Sequence, residues 1–220
     1  MWSTIRIPFA SSIRVTLQQA AGCESQSTYW FIIRGVEGLA LSLGEIDLPP
    51  AARLVQSTIT NTTFQQNAFV PLASAPAAND GMLLYTFVDA TSADPNYLEG
   101  CFHLTHGDGS TQFLSSGTED YFLSASYFDE GTFADSQAGY VFAGSGGSKS
   151  MYKLHDSRDL IPFHGGMSFV WRNNEDGASC PNHFGGGGAG QQRRRLEGSG
   201  PMTLTSIVFS YQWPSSATAA

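Results

Sequence analysis

Short runs of alternating or β-branched residues, cut apart by Gly, Pro, Asn and Asp clusters, constrain this chain more than any other feature. They leave hardly a segment that sustains a helical period of 3.6 over three turns. Ile13-Arg14-Val15-Thr16-Leu17 alternates, and Tyr29-Trp30-Phe31-Ile32-Ile33 is rich in aromatic and β-branched side chains. Further strands are expected over 82–88, 101–105, 140–143, 167–171 and 202–211. Many strands joined by long, irregular connections predict an all-β fold, a jelly-roll type of β-sandwich and not a tight meander. With 41% hydrophobic and only 14% charged residues in 220, the chain has enough apolar material for a core and lacks the signature of disorder.

Breaks are expected at Leu48-Pro49-Pro50 and across 71–81, where Ala, Ser, Pro and Asn dominate; the second reads as a domain boundary. A net charge of −8 speaks against a nucleic-acid or anionic-membrane surface, because both need a basic stripe. Arg193-Arg194-Arg195 follows a Gly-rich stretch and reads as a solvated loop. Gly185-Gly186-Gly187-Gly188 has neither the Lys-Ser/Thr nor the strand-to-helix setting of a phosphate loop. Cys23, Cys101 and Cys180 are too few for a disulfide framework, so buried or reduced thiols are expected. No secretory leader or membrane span is legible, which leans towards the cytoplasm; the sequon Asn61-Thr62-Thr63 points weakly the other way.

No metal is expected. His103 and His106 are spaced so that a strand directs them to opposite faces, and neither a zinc spacing nor a calcium loop is present. No cofactor motif and no G-x-S-x-G elbow occurs, and Ser115-Ser116-Gly117 reads as turn chemistry. Carboxylates remain. Glycoside hydrolysis needs one ionised and one protonated carboxyl, and burial among aromatics favours the protonated form. Glu119, beside Tyr121 and Phe122, has such neighbours. Between Glu99 and Glu119 the chain reads as a strand, a Gly107-Asp108-Gly109 turn and a returning segment, a hairpin able to bring the two together. The alternative is a pair of rim carboxylates on loops.

The segments "YLEGCF", "FLSSGTEDYFLSASYF", "MYKLHDSRDLIPF", "FVWRNNE" and "SIVFSYQWP", preceded by "STIRIPFASSIRVTL", stand in an order that resembles glycoside hydrolase family 172. That family was formerly a domain of unknown function. It contains difructose dianhydride I synthase/hydrolases and α-D-arabinofuranosidases. The resemblance covers nearly the whole chain. It implies two jelly-roll halves, here the C-terminal part of a first jelly roll over 1–70 and a complete second one over 71–220, with the family's N-terminal part lacking. It implies a homo-oligomer, trimer or hexamer, and an anomer-retaining mechanism on a carbohydrate substrate with α-D-fructofuranosyl or α-D-arabinofuranosyl units.

By resemblance Glu99 matches the nucleophile and Glu119 the acid/base. Asp120 either orients its turn or binds a sugar hydroxyl. Tyr121, Phe122 and Trp171 either offer a face to the furanose ring or belong to the core. His155 and Asp156 are placed to bind sugar hydroxyls, and Arg172 binds a hydroxyl or pairs with an acid. Two other readings stand beside the enzyme. One is a non-catalytic jelly-roll module for carbohydrate binding or assembly, and the other a capsid-like shell protein, which rests on fold analogy alone.

Overall fold

In the computed structural model, which describes residues 5–16, 18, 32–174 and 200–215, alternation becomes strand wherever a neighbouring edge is there to pair it. A two-residue hairpin, β1 (Ser42–Leu43) and β2 (Ile46–Asp47), precedes the long β3 (Arg53–Phe64), β4 (Phe69–Ala75) and β5 (Asn79–Thr91). Then come β6 (Phe102–His106), β7 (Thr111–Leu114), β8 (Phe133–Ala134), β9 (Ala138–Ala143) and β10 (Ser148–Leu154). β11 (Ile161–Phe163), β12 (Met167–Arg172) and β13 (Met202–Pro214) complete the set, with a single helical turn, α1 (Thr118–Tyr121).

One sheet has the order β3-β13-β5-β10-β9-β8, with β11 also paired to β5; the second has the order β4-β12-β6-β7. All pairings are antiparallel, and one series of them is nested. β3 pairs with β13, β4 with β12, β5 with β10 and β11, and β6 with β7. A long hairpin wrapped so that its strands alternate between two sheets is a jelly roll. The all-β sandwich read from the sequence is therefore present.

The core lies between the sheets, where Val70, Leu83, Phe102, Phe163, Phe169 and Trp171 have no exposed surface. Each such side chain contributes about 1.5–3 kcal/mol by leaving water. A smaller cluster of Leu48, Ala52, Met82, Leu84 and Tyr211 forms on the outer face of β5 and β13, under the segment that carries β1 and β2. β5 is consequently buried on both faces over Gly81 to Leu84.

Three expectations about strands and boundaries need correction. The boundary at 71 falls inside β4, and β3 is hydrogen-bonded to β13, so the jelly roll already includes residues from Arg53. Pro71 does not end a strand. β4 pairs only with β12, and the register slips there so that Leu72 is an extra residue beside Pro71, an edge position and a bulge where a missing N–H costs little. Finally, residues 13–16 form no strand; Ile13 and Val15 are 44% and 51% exposed, because an alternating pattern needs an edge to pair with. Residues 29–31, Leu17, the glycine run and the arginine triplet lie outside the described residues.

Asn61 of the sequon is exposed, with φ 44° at a bulge in β3 opposite Thr205, whose Oγ1 accepts the Asn61 N–H. Cys101 is buried and disulfide-bonded, which overturns the expectation of reduced thiols for that residue. None of the helices among the described residues is long and apolar enough to cross a membrane.

Candidate functional site

The two glutamates sit at the base of the β6–β7 hairpin, one just before it and one just after. Asp94 accepts the N–H of Asn96, and Pro95 opens a 3₁₀ turn, Pro95–Glu99, whose Tyr97 and Leu98 are buried in the core. Glu99 is left half-buried at the end of that turn. The next residue has to be glycine, because a Cβ at Gly100 would lie 1.6 Å from the carbonyl oxygen of Arg172. The hairpin turns at Gly107-Asp108-Gly109, as expected. Asp108 Oδ1 accepts from the Ser110 N–H, and Gly109 has φ 83°.

Hydrogen bonds then close the base of the hairpin. Ser115 N–H donates to Phe102 O at 3.0 Å, and Phe102 N–H donates to Ser115 Oγ at 2.8 Å. Thr118, fully buried, donates to Gly100 O at 3.0 Å and accepts from the indole Nε1 of Trp171 at 2.8 Å. The turn that carries Glu119 is thereby clamped to the residue that follows Glu99. The segments on either side of the hairpin, expected to meet, are joined by direct hydrogen bonds.

The carboxyls differ in their surroundings. Glu119 Oε2 is buried and has no hydrogen-bond partner, lying against the open face of Gly117. Burial pushes this carboxyl above the usual range, against the pull of its own backbone N–H, and the neighbouring Asp120 carboxylate adds to the rise. Glu99 Oε1 instead accepts a hydrogen bond from the Tyr127 hydroxyl.

Tyr127 is delivered by an unusual loop. Leu123, Ser126, Tyr127 and Phe128 have φ of 60°, 48°, 59° and 63°, the last three in succession. Left-handed backbone at non-glycine residues costs about 1–3 kcal/mol each and persists only where the surroundings enforce it. Phe128, buried and packed on Tyr140 at 4.7 Å, supplies part of that anchoring. Nothing in "SASYF" announces left-handed backbone, so the Tyr127–Glu99 contact was beyond sequence reasoning.

The other expected site residues separate into two groups. Asp120 is exposed and accepts from Ser116 Oγ. Tyr121 is buried, its ring stacked on Phe102 at 4.1 Å, and its hydroxyl meets Thr86 Oγ1 at 2.8 Å and His155 Nε2 at 3.1 Å. Asp120, Tyr121 and His155 all line one cavity of about 500 Å³. Asp156, Trp171 and Arg172 do not. Asp156 caps the Arg158 N–H at 2.9 Å and binds its guanidinium at 3.0 Å. Trp171 stacks on Phe102 at 5.3 Å inside the core, so it offers no face to a sugar. Arg172 is buried, with Nε donating to Asn174 O at 3.0 Å and its guanidinium 4.8 Å over the Phe69 ring. The core reading open for Tyr121 and Trp171 is the one that holds, because each has a partner there for its polar atom.

Sequence reasoning missed Lys153 and Asp159. Lys153 Nζ donates to Asp159 Oδ2 at 2.8 Å, and His155 Nδ1 lies 3.4 Å from the same oxygen. Lys153-Leu154-His155 places both bases on one face of a strand by its period of two, a signal that was available. Burial opposes the charged form of Asp159, but the bonds and charges of His155 and Lys153 outweigh it and hold the carboxyl well below its usual range.

A depressed folded-state pKa stabilises the protein above the unfolded-state value and loses that effect as pH falls through the folded one. Asp159→Asn is therefore expected to lower stability fully at pH 7 and progressively less below about pH 4. Denaturant titrations of both proteins at pH 7 and pH 3 check this; a gap that stays constant would contradict it.

Among the described residues no group of three or more His, Cys, Asp or Glu side chains is placed to hold a metal. His103 bonds Thr111 Oγ1 at 2.9 Å and His106 bonds Gln112 Oε1 at 2.8 Å.

No protein-family model matches the chain, and no curated protein does. Among solved structures it is similar to the VP2 subviral particle of infectious bursal disease virus. That match has 10% identity and a TM-score of 0.38, and covers 81% of this chain and 37% of that one. A structure of the Gx strain of the same virus matches at 13% identity and a TM-score of 0.31, covering 84% and 47%. The chain thus spans less than half the length of either viral protein. The jelly-roll assignment above rests on strand order alone.

Proposed function

We propose that the chain is a retaining glycoside hydrolase or transglycosidase acting on α-D-furanosides, with D-fructofuranosyl or D-arabinofuranosyl units as the substrate class. The observation that carries the proposal is the half-buried Glu119 carboxyl, raised in pKa by desolvation and with its Oε2 buried and unpartnered, on a turn clamped through Thr118 to the residue after Glu99. A carboxyl whose pKa is raised by desolvation is what a general acid requires. Glu99, bonded by Tyr127, takes the role of the ionised partner.

In the first step Glu119 gives its proton to the leaving oxygen while a Glu99 oxygen attacks the anomeric carbon. The glycosidic bond breaks and a glycosyl ester forms. In the second, Glu119 takes a proton from water or a sugar hydroxyl. That oxygen displaces Glu99, restoring both carboxyls and the original anomeric configuration. Water gives hydrolysis and a sugar gives transfer.

Incubation with an aryl α-D-arabinofuranoside and, in parallel, with difructose dianhydride I tests the proposal, with Glu99→Gln as the blank. Turnover that vanishes in the blank supports it, and a folded protein inert on both sinks it. Tyr127→Phe is expected to cut turnover about tenfold or more by removing its hydrogen bond to Glu99, as loss of a hydrogen bond to a charged group does, without lowering the melting temperature. Equal activity of this variant and the parent would remove Tyr127 from the site.

Assembly into a homo-oligomer belongs to the same proposal. Ile7, Ile32, Ile33, Val36 and Leu39 are between 55% and 84% exposed on the segment ahead of the jelly roll, more apolar surface than a lone strand of chain carries at rest. Sedimentation at micromolar concentration reads the oligomeric state, and a strictly monomeric protein would remove this part. A non-catalytic module would instead bind sugar without turnover, and replacing either glutamate would change at most its affinity.

A further inference from the structure

The cavity of about 500 Å³ lies beside the catalytic pair and not on it. Its walls come from the end of β7, from α1 and from the connection between β10 and β11, whereas neither Glu99 nor Glu119 lines it. Consecutive residues of one helical turn thus have different surroundings. Both carboxyls lie against Gly117, but only Asp120 also lines the cavity.

The cavity has an ordered polar wall. β10 and β11 pair with successive stretches of the same edge of β5, Leu154 opposite Tyr85 and Ile161 opposite Leu83, so the residues between them loop outward. The His155 N–H is held by Leu84 O, and the Asp156 N–H donates to Asp159 Oδ1 at 3.0 Å. These bonds fix the Lys153–Asp159 pair, whose side chains are 6% and 35% exposed. An ammonium carries three donors and Asp159 takes one of them. His155 is set by Tyr121 on one side and Asp159 on the other. Gln112, Ser115 and Ser116 add an amide and two hydroxyls.

The chemistry of the lining selects a ligand. Two carboxylates, Asp120 and Asp159, against one ammonium disfavour an anion such as a phosphate ester. Phe113, Leu123, Leu160 and Ile161 cover the remaining wall and give nothing to a bare cation. A neutral ring with hydroxyls on its edge and C–H groups on its face satisfies both walls, and the volume suits one or two such rings.

We infer that this cavity is an accessory binding subsite for a neutral furanose or other monosaccharide, held by Asp120, Lys153 and Asp159 and separate from Glu99 and Glu119. The choice of sugar rests on the catalytic reading; the existence of the subsite does not.

Titration of ¹⁵N-labelled protein with D-fructose and with D-arabinose tests it. Saturable shifts are expected at the amides of Gln112, Ser116, Asp120 and Asp159, unchanged in Glu99→Gln and Glu119→Gln. Asp120→Asn and Leu123→Trp, both at exposed positions that leave the core alone, are expected to weaken binding about tenfold, one by removing a charged acceptor and the other by filling the mouth. Absence of saturable shifts, binding as strong in both cavity variants as in the parent, or loss of binding in Glu99→Gln would each overturn the subsite. Binding without turnover on either furanoside would sink only the catalytic reading, and turnover without these shifts only the subsite.

Discussion

Glu119→Gln is expected to abolish turnover, by about 10³-fold or more, and at the same time to raise the melting temperature at pH 7. The two effects have one cause. Burial raises the Glu119 pKa in the folded state, so between its unfolded-state and folded-state values the native protein binds more protons than the unfolded chain. Stability contributed by that protonated group is present at low pH and is lost as pH rises through the folded pKa. A neutral amide carries no such loss. Thermal scans from pH 4 to 8 alongside the furanosidase assay check both halves. The gain in melting temperature should shrink towards pH 4. A variant that is inactive but less stable at pH 7 would show that the carboxylate is a structural acceptor and not a stored acid.

Trp171→Ala is the second large effect. Its indole is fully buried, stacks on Phe102, meets Tyr97 edge-on at 6.1 Å and donates to Thr118. Removing it costs about 3–5 kcal/mol in cavity and lost transfer, which for a chain of this size lowers the melting temperature by about 10 °C. It also leaves the Thr118 hydroxyl with one bond fewer, loosening the clamp between Glu99 and Glu119. Trp171→Phe keeps the ring stack but not the donor, and separates the two contributions: melting should largely recover while turnover should not. Recovery of both would show that the indole N–H plays no part in holding the turn.

The jelly roll was legible because strands such as 82–88, 167–171 and 202–211 have their apolar positions in the period that two packed sheets demand. β3 was not, since Gln56, Ser57, Thr58 and the Asn61-Thr62-Thr63 run are polar, yet β13 gives the strand a full ladder of partners. Pairing of that kind is tertiary and leaves little trace in a local pattern. The glutamate pair was legible because a short hairpin fixes what lies at its two ends. Trp171 and Arg172 were uncertain from sequence, since a strand residue faces in or out by register and a slip of one residue exchanges the two. Tyr127 and Asp159 depended on loop conformations, left-handed in one case and stapled by Lys153 in the other, that no residue type in them dictates.

The nested pairing also sets an order in time. Phe102–His106 and Thr111–Leu114 meet across a turn of a few residues, whereas Phe64 reaches its partner Met202 only after nearly all the intervening chain is in place. Loop-closure entropy makes the first contact fast and the last slow, so the hairpin that carries the two glutamates is available to form early and the β3–β13 seam closes the molecule at the end. Until that seam closes, β13 presents an unpaired edge, and the period of greatest exposure to aggregation falls after the site's own hairpin has formed.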